Sequence, residues 1–140
     1  MRKIFLMAMI AVALALATVA CGDKGDEPET QNATITTSFG DITVTGFFTN
    51  AEWEGVPDKI KTALNNAHTF VGSPTAGIIS AKSITVIVEK NPSYANYSTT
   101  FNGNTIHINY AIVNNASNLQ TAINRSCWVL SGDDEVPTVG

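Results

Sequence analysis

Two stretches of the chain repeat apolar residues at the spacing of an amphipathic helix. The first spans Pro57 to Val71, where proline suits the first turn and Asp58 complements the positive end of the helix dipole. The second spans Ser117 to Leu130, and Ser117 with Gln120 matches a capping box. One buried stripe is expected on each helix, formed by Ile60, Ala63, Leu64, Ala67 and Val71 in the first and by Leu119, Ala122, Ile123, Cys127 and Leu130 in the second.

Other stretches are rich in β-branched and aromatic residues, as is typical of strands. Ala33 to Thr49 contains Gly40-Asp41 in its middle, which predicts two strands joined by a tight turn. Ser83 to Glu89 is the most apolar of these stretches, so we expect it at the centre of the sheet. Tyr94 to Phe101 and Asn104 to Val113 flank Asn102-Gly103, which is a strong hairpin signal.

Apolar and polar residues alternate in the second arm of the hairpin. One face of this arm should therefore be buried, and His107 should lie on the polar face. Loops are expected around Trp53 and from Ser73 to Ser80. The order β, β, α, β, β, β, α therefore predicts an α+β domain, with a mainly antiparallel sheet of about five strands packed against two helices.

The first residues have a different pattern. Basic Arg2 and Lys3 precede an uncharged apolar run from Ile4 to Ala20, and small Ala20 is followed directly by Cys21. This order is that of a secretory signal peptide. An uncleaved helical anchor is the alternative, because the run is only slightly shorter than a membrane span.

The segment from Leu16 to Cys21 resembles the lipobox of bacterial lipoprotein precursors. The resemblance implies cleavage before Cys21, which would then carry N-palmitoyl and S-diacylglycerol groups and hold the protein on a lipid bilayer. The family usually has leucine where this chain has Thr18, although looser lipoboxes occur in spirochaetes. An acidic run behind the cysteine also resembles the surface-export signals of some Bacteroidota lipoproteins, with a solvated linker as the alternative. An outer-membrane or surface location is therefore expected.

Four segments follow from these patterns. Residues 1–20 are expected to be the signal peptide, 21–32 a flexible acidic tether, 33–131 a single α+β domain and 132–140 an acidic disordered tail. Acidic residues are concentrated in the tether and the tail, whereas five acidic and five basic residues lie between Ala33 and Ser131. This neutral body lacks the basic patch that nucleic-acid binding requires.

The sequence offers few groups for catalysis. His68 and His107 have no carboxylate at local ligand spacing, so solvated or capping roles are favoured over metal binding or acid–base chemistry. Cys127 lies on an apolar helical stripe, which favours buried packing over nucleophilic catalysis. If Cys21 carries lipid through sulfur, no internal disulfide can form. We therefore expect no enzymatic activity, no cofactor and no metal site.

The order of helix, central strand, Asn-Gly hairpin and second helix resembles the N-terminal half of zincin-type zinc metalloproteases. That family carries two zinc-binding histidines and a glutamate base on the last of these helices. Here the corresponding residues, Leu119 to Arg125, contain none of the three. The resemblance therefore implies a catalytically dead scaffold, with no zinc role for any residue of this chain.

Aromatic residues beside amides and hydroxyls are the remaining candidates. Trp53, Tyr94 and Tyr97, with Phe101 nearby in the sequence, suit contact with a sugar or a protein partner. The alternative is that these rings pack on the edge of the sheet. The sequence thus predicts a membrane-anchored lipoprotein with a non-catalytic binding or coat role, or alternatively a glycan-binding module or a dead hydrolase-like domain.

Overall fold

The computed structural model describes residues 27–140. The predicted signal peptide, Cys21 and most of the predicted tether lie outside the described residues. The chain divides into two compact units, whose described parts are residues 27–29 with 48–54 in one and 30–47 with 55–140 in the other. The elements are β1 (Glu29–Thr37), β2 (Gly40–Phe48), α1 (Asn50–Trp53), α2 (Val56–Val71), α3 (Thr75–Ser80), β3 (Thr85–Glu89), β4 (Tyr97–Thr99), β5 (Thr105–Asn109), a 3₁₀ turn (Tyr110–Ile112) and α4 (Ala116–Leu130).

The five strands form one sheet in the order β1-β2-β3-β5-β4. The α+β class and the central position of β3 are confirmed. The sheet is mixed rather than mainly antiparallel, because β3 pairs in parallel with both β2 and β5, whereas β4 and β5 are antiparallel. The physical reason is the connection between β2 and β3: α2 and α3 intervene, and such crossovers allow parallel pairing.

One face of the sheet is buried and the other is partly open. Buried Val44, Val86 and Ile106 alternate with half-buried or exposed residues along β2, β3 and β5. The strand register places Thr43, Thr85 and Thr105 in one row on the open face. Helix α2 packs along α4, and α4 contacts β4 and β5, so these helices account for the buried face.

The two long helices bury the stripes that their sequences predict. Every stripe residue of α2 and α4 is buried, and α4 also buries Ser126 and Val129. The capping of α4 differs from the prediction: the helix begins at Ala116, and the Asn115 side chain accepts a hydrogen bond of 3.0 Å from the Asn118 backbone N–H. Ser117 lies inside the first turn and is not the cap residue. The Gln120 side chain donates to the Ala63 carbonyl at 2.9 Å.

Two expected loops contain helices. Thr75–Ser80 forms α3 and buries Ala76 and Ile79, so its small residues allow close packing as well as turns. Trp53 ends the one-turn helix α1, which begins with a capping box between Thr49 and Glu52. Within this small unit, the rings of Trp53 and Phe48 stack with centroids 5.7 Å apart.

The turns also differ in detail from the predicted ones. The β1–β2 turn lies at Ser38-Phe39, slightly before the predicted Gly40-Asp41. Strand β5 ends at Asn109, whose side chain accepts a hydrogen bond of 2.9 Å from the Ala111 N–H and starts the 3₁₀ turn. The β4–β5 connection contains Asn102-Gly103 as expected, and a Cβ at Gly103 would lie only 2.9 Å from that of Thr100.

The C-terminal segment pairs with the outer edge of β4. The sequence predicts a disordered tail for these residues. In the structure, Tyr97 and Gly140 exchange two backbone hydrogen bonds of 2.9 and 3.1 Å. The Thr99 N–H also donates to the Thr138 carbonyl at 2.8 Å, and the Tyr97 hydroxyl donates to the Pro137 carbonyl at 2.7 Å. The acidic side chains of this segment do not predict its pairing with β4, because the pairing is made by backbone N–H and C=O groups.

A buried hydroxyl pair joins β4 to α4 and provides a test of this packing. The Thr99 hydroxyl donates to the Ser126 hydroxyl at 2.9 Å, and both residues are buried. We expect Ser126→Ala to lower the free energy of unfolding by about 1–2 kcal/mol, because the Thr99 hydroxyl loses its buried partner. Urea denaturation followed by circular dichroism measures this change.

The matched control is Ser117→Ala on the exposed face of the same helix, with an expected effect within about 0.5 kcal/mol. Adding Thr99→Val to Ser126→Ala should recover part of the loss, since neither hydroxyl is then left unpaired. A double variant that loses the sum of both single effects would contradict the proposed coupling.

Candidate functional site

The structure does not present the predicted contact residues as one open surface. Trp53 is 9% exposed and stacks on Phe48 within the small unit. Tyr97 is 2% exposed, and Tyr94 is half-buried with its hydroxyl on the Glu89 carboxylate. Phe101 is 41% exposed in the β4–β5 connection. The predicted lipidation residue, Cys21, lies outside the described residues.

The sheet brings together a carboxylate, an imidazole and a phenol that are separated in sequence. Nδ1 of His107 lies 3.1 Å from Oε1 of Glu89, and the Tyr94 hydroxyl donates to the same oxygen. Burial and the adjacent Glu89 carboxylate raise the pKa of Tyr94, so this phenol remains a neutral donor. Glu89 ends β3 and His107 lies on the neighbouring parallel strand β5, a pairing that local sequence spacing does not reveal.

This cluster fixes the segment before β4. The Asn109 side chain donates to the Ala95 carbonyl at 2.9 Å, next to Tyr94. Ser98 faces His107 in the register of β4 and β5, but no hydrogen bond joins their side chains in the described part of the chain. Residues 27–140 contain no group of three His, Cys, Asp or Glu side chains that could hold a metal ion.

The side chains of His68 and Cys127 pack against other residues of the domain. The ring of His68 packs edge-on against Phe39, with centroids 4.9 Å apart, near the C-terminal end of α2. Cys127 has no exposed surface on the buried face of α4. Burial raises the pKa of its thiol to about 12, so the thiol stays protonated and is a poor nucleophile at neutral pH.

The outward face of α4 lines two adjoining cavities, which we call the α4 groove. The larger, of about 510 Å³, has an aromatic wall formed by Phe70 and Trp128, whose ring centroids lie 6.2 Å apart. Phe70 is 59% exposed. The smaller, of about 290 Å³, is lined by amide side chains from Asn96 and Asn118. The two cavities share Thr121, Arg125 and Pro137.

Spacing along α4 explains why these residues meet. Asn118, Thr121, Arg125 and Trp128 follow one another by three or four positions, so they form a stripe on the helix surface. The C-terminal segment forms the opposite wall, with Glu135 in the larger cavity and Val139 in the smaller. The sequence contained a signal for this site, since Trp128 interrupts the otherwise polar side of the helix.

Arg125 is the cation at the junction of the two cavities. Its guanidinium lies beside the Tyr97 hydroxyl, where it opposes the larger effect of burial, which raises the pKa of Tyr97. Within residues 27–140, no carboxylate oxygen lies within 4.0 Å of the Arg125 side-chain nitrogens. Arg125 is exposed, so its positive charge is available to a bound group.

Comparison with protein-family models, curated proteins and solved structures found no match to this chain. Among the described residues, no helix is both long and apolar enough to cross a membrane.

The buried thiol provides a test of the packing behind the groove. In the full chain with Cys21→Ala, Cys127 is the only thiol. We expect its alkylation by iodoacetamide at pH 8 to be at least about a hundredfold slower in the folded protein than in urea, because burial both shields sulfur and keeps it protonated. Mass spectrometry of quenched samples measures the rate.

The control is a small cysteine-containing peptide, which should react at the same rate with and without urea. Folded Cys127 that reacts as fast as this peptide would show that the inner face of α4 is open to solvent.

Proposed function

We propose that this protein is a lipid-anchored binding protein of the outer membrane or cell surface. The order of charge, apolar run and Ala20-Cys21 supports the anchor. In this proposal residues 1–20 are removed and Cys21 carries the acyl chains. Each buried methylene contributes about 0.8 kcal/mol, so two or three chains hold a protein far more firmly than one.

The α4 groove is the proposed binding surface. The observation that carries this part is the exposed Phe70 ring beside Trp128, next to polar side chains and an exposed Arg125. Ligand sites in proteins commonly combine apolar walls with a few polar groups that fix orientation, within about 300–1,000 Å³. No step of this function requires a cofactor or a metal ion.

A glycan is the ligand class that this surface favours. Aromatic rings pack against the C–H face of a sugar, while amides and hydroxyls bond its hydroxyl groups. Phe70 and Trp128 supply the first kind of contact, and Asn124 and Thr121 supply the second. Of the contact residues expected from the sequence, Tyr97 lines the smaller cavity of this groove, whereas Trp53 and Tyr94 line neither cavity.

Metabolic labelling tests the anchor. Cells expressing the full chain with Cys21→Ala should incorporate no radiolabelled palmitate into this protein, because the acyl-accepting sulfur and the processing site are lost. Cys127→Ala is the matched control, since it removes the other cysteine and should keep the full label. Equal labelling of the Cys21→Ala chain and the unchanged chain would refute lipidation at Cys21.

Two single-tryptophan variants test the groove. Trp53→Phe leaves Trp128 as the only tryptophan, and Trp128→Phe leaves Trp53. Titration with cell-wall and host glycans should change the fluorescence of the first variant only. Adding Phe70→Ala to the first should weaken binding about three- to tenfold, because one aromatic contact is lost.

The control for the Phe70 substitution is Phe47→Ala, which removes another exposed ring outside the groove and should leave the affinity unchanged. A response from Trp53 alone would contradict the assignment of the site to α4.

A further inference from the structure

We infer that the α4 groove selects saccharides that carry a carboxylate, with this group bound at Arg125 and a sugar ring on the aromatic wall. The inference rests on the proposed binding function and names its ligand class. It depends on where Arg125 lies: at the junction of the larger, partly aromatic cavity and the smaller, amide-lined cavity.

The charge at this junction favours an anion with two oxygen atoms. A guanidinium presents its N–H groups in a planar fork that matches a carboxylate. The Tyr97 hydroxyl donates its hydrogen bond to the Pro137 carbonyl, so the lone pairs of its oxygen can face the adjacent Arg125 side chain. This neighbour orients the guanidinium and does not neutralise it. A bound carboxylate would pair with the guanidinium directly, since no carboxylate of residues 27–140 lies within 4.0 Å of it.

The polar side chains on both sides of Arg125 favour a saccharide over an apolar acid. Thr121 and Asn124 lie on the same helix in the larger cavity, and Asn96 and Asn118 line the smaller one. A fatty acid or an aromatic acid would cover these groups without bonding them, which costs free energy. A sugar acid has hydroxyls for them and a C–H face for Trp128.

Glu135 limits how many acidic groups the ligand can carry. This carboxylate lines the larger cavity on the side of the C-terminal segment. It can accept hydrogen bonds from sugar hydroxyls, but it repels a second carboxylate placed in that cavity. The geometry therefore fits a short saccharide with one acidic group at Arg125 and a neutral ring against Phe70 and Trp128.

The test uses matched disaccharide pairs and the full chain. Cellobiouronic acid carries a carboxylate where cellobiose carries one hydroxymethyl group, and galacturonosyl-galactose with galactobiose forms a second pair that differs in the same way. Calorimetric titration should show at least about tenfold tighter binding of an acidic member over its neutral counterpart. Raising the salt concentration should weaken this preference, because an exposed ion pair is screened.

Arg125→Gln should bring the ratio of the acidic to the neutral affinity close to one, because the guanidinium that binds the carboxylate is lost. Arg125→Lys keeps the charge but lacks the planar fork, so it should retain part of the preference. Lys82→Gln removes a positive charge outside both cavities and should change nothing. Circular dichroism of each variant separates lost binding from lost folding.

The possible outcomes distinguish this inference from the proposed function. Equal binding of acidic and neutral disaccharides, with a Trp128 response, would overturn the acidic preference and leave glycan binding in place. Tighter binding of an acidic peptide than of any saccharide would overturn the ligand class. Failure of every ligand to change Trp128 fluorescence would overturn the function of the groove itself.

Discussion

The burial of one face of α4 is the constraint on which the rest of the larger unit depends. Ile123 and Cys127 have no exposed surface, and α4 contacts both α2 and the strands β4 and β5. Once these residues are fixed in the core, the helical repeat fixes the rotation of α4 about its axis. Arg125 and Trp128 must then face outward. The same packing that stabilises the domain therefore also positions the α4 side of the groove.

Side-chain alternation predicted burial well, but it could not predict the direction of strand pairing. Val86 and Ile106 are buried, as the alternation of apolar and polar residues requires. The same alternation arises in parallel and in antiparallel strands, and here the two strands are parallel. For this reason the fold class and the central strand followed from the sequence, whereas the mixed sheet did not. The contact between Glu89 and His107 was missed for the same reason, because it arises from parallel pairing of strands that are distant in the chain.

The candidate contact residues expected from the sequence overlap only in part with those that line the proposed groove. Aromatic character points to Trp53 and Tyr97 as recognition residues. Both are buried, although Tyr97 lines the smaller cavity. Trp128 is not among the candidates that aromatic character alone suggests, although the buried stripe of α4 implies its outward position. The wall provided by the C-terminal segment had no comparable signal. It is held by backbone hydrogen bonds to Tyr97 and Thr99, which leave no mark on the amino-acid pattern.

The attachment of this segment also changes the outer boundary of the sheet. An unpaired edge strand exposes N–H and C=O groups that can pair with another chain and lead to aggregation. Residues 138–140 bond these groups on β4, so the outer side of that strand is no longer a free template. If acyl chains hold many copies on one membrane surface, edge strands of different molecules meet more often than in dilute solution, so covering an edge matters more there. A segment that forms one wall of the groove thus also covers the backbone groups on the outer edge of β4.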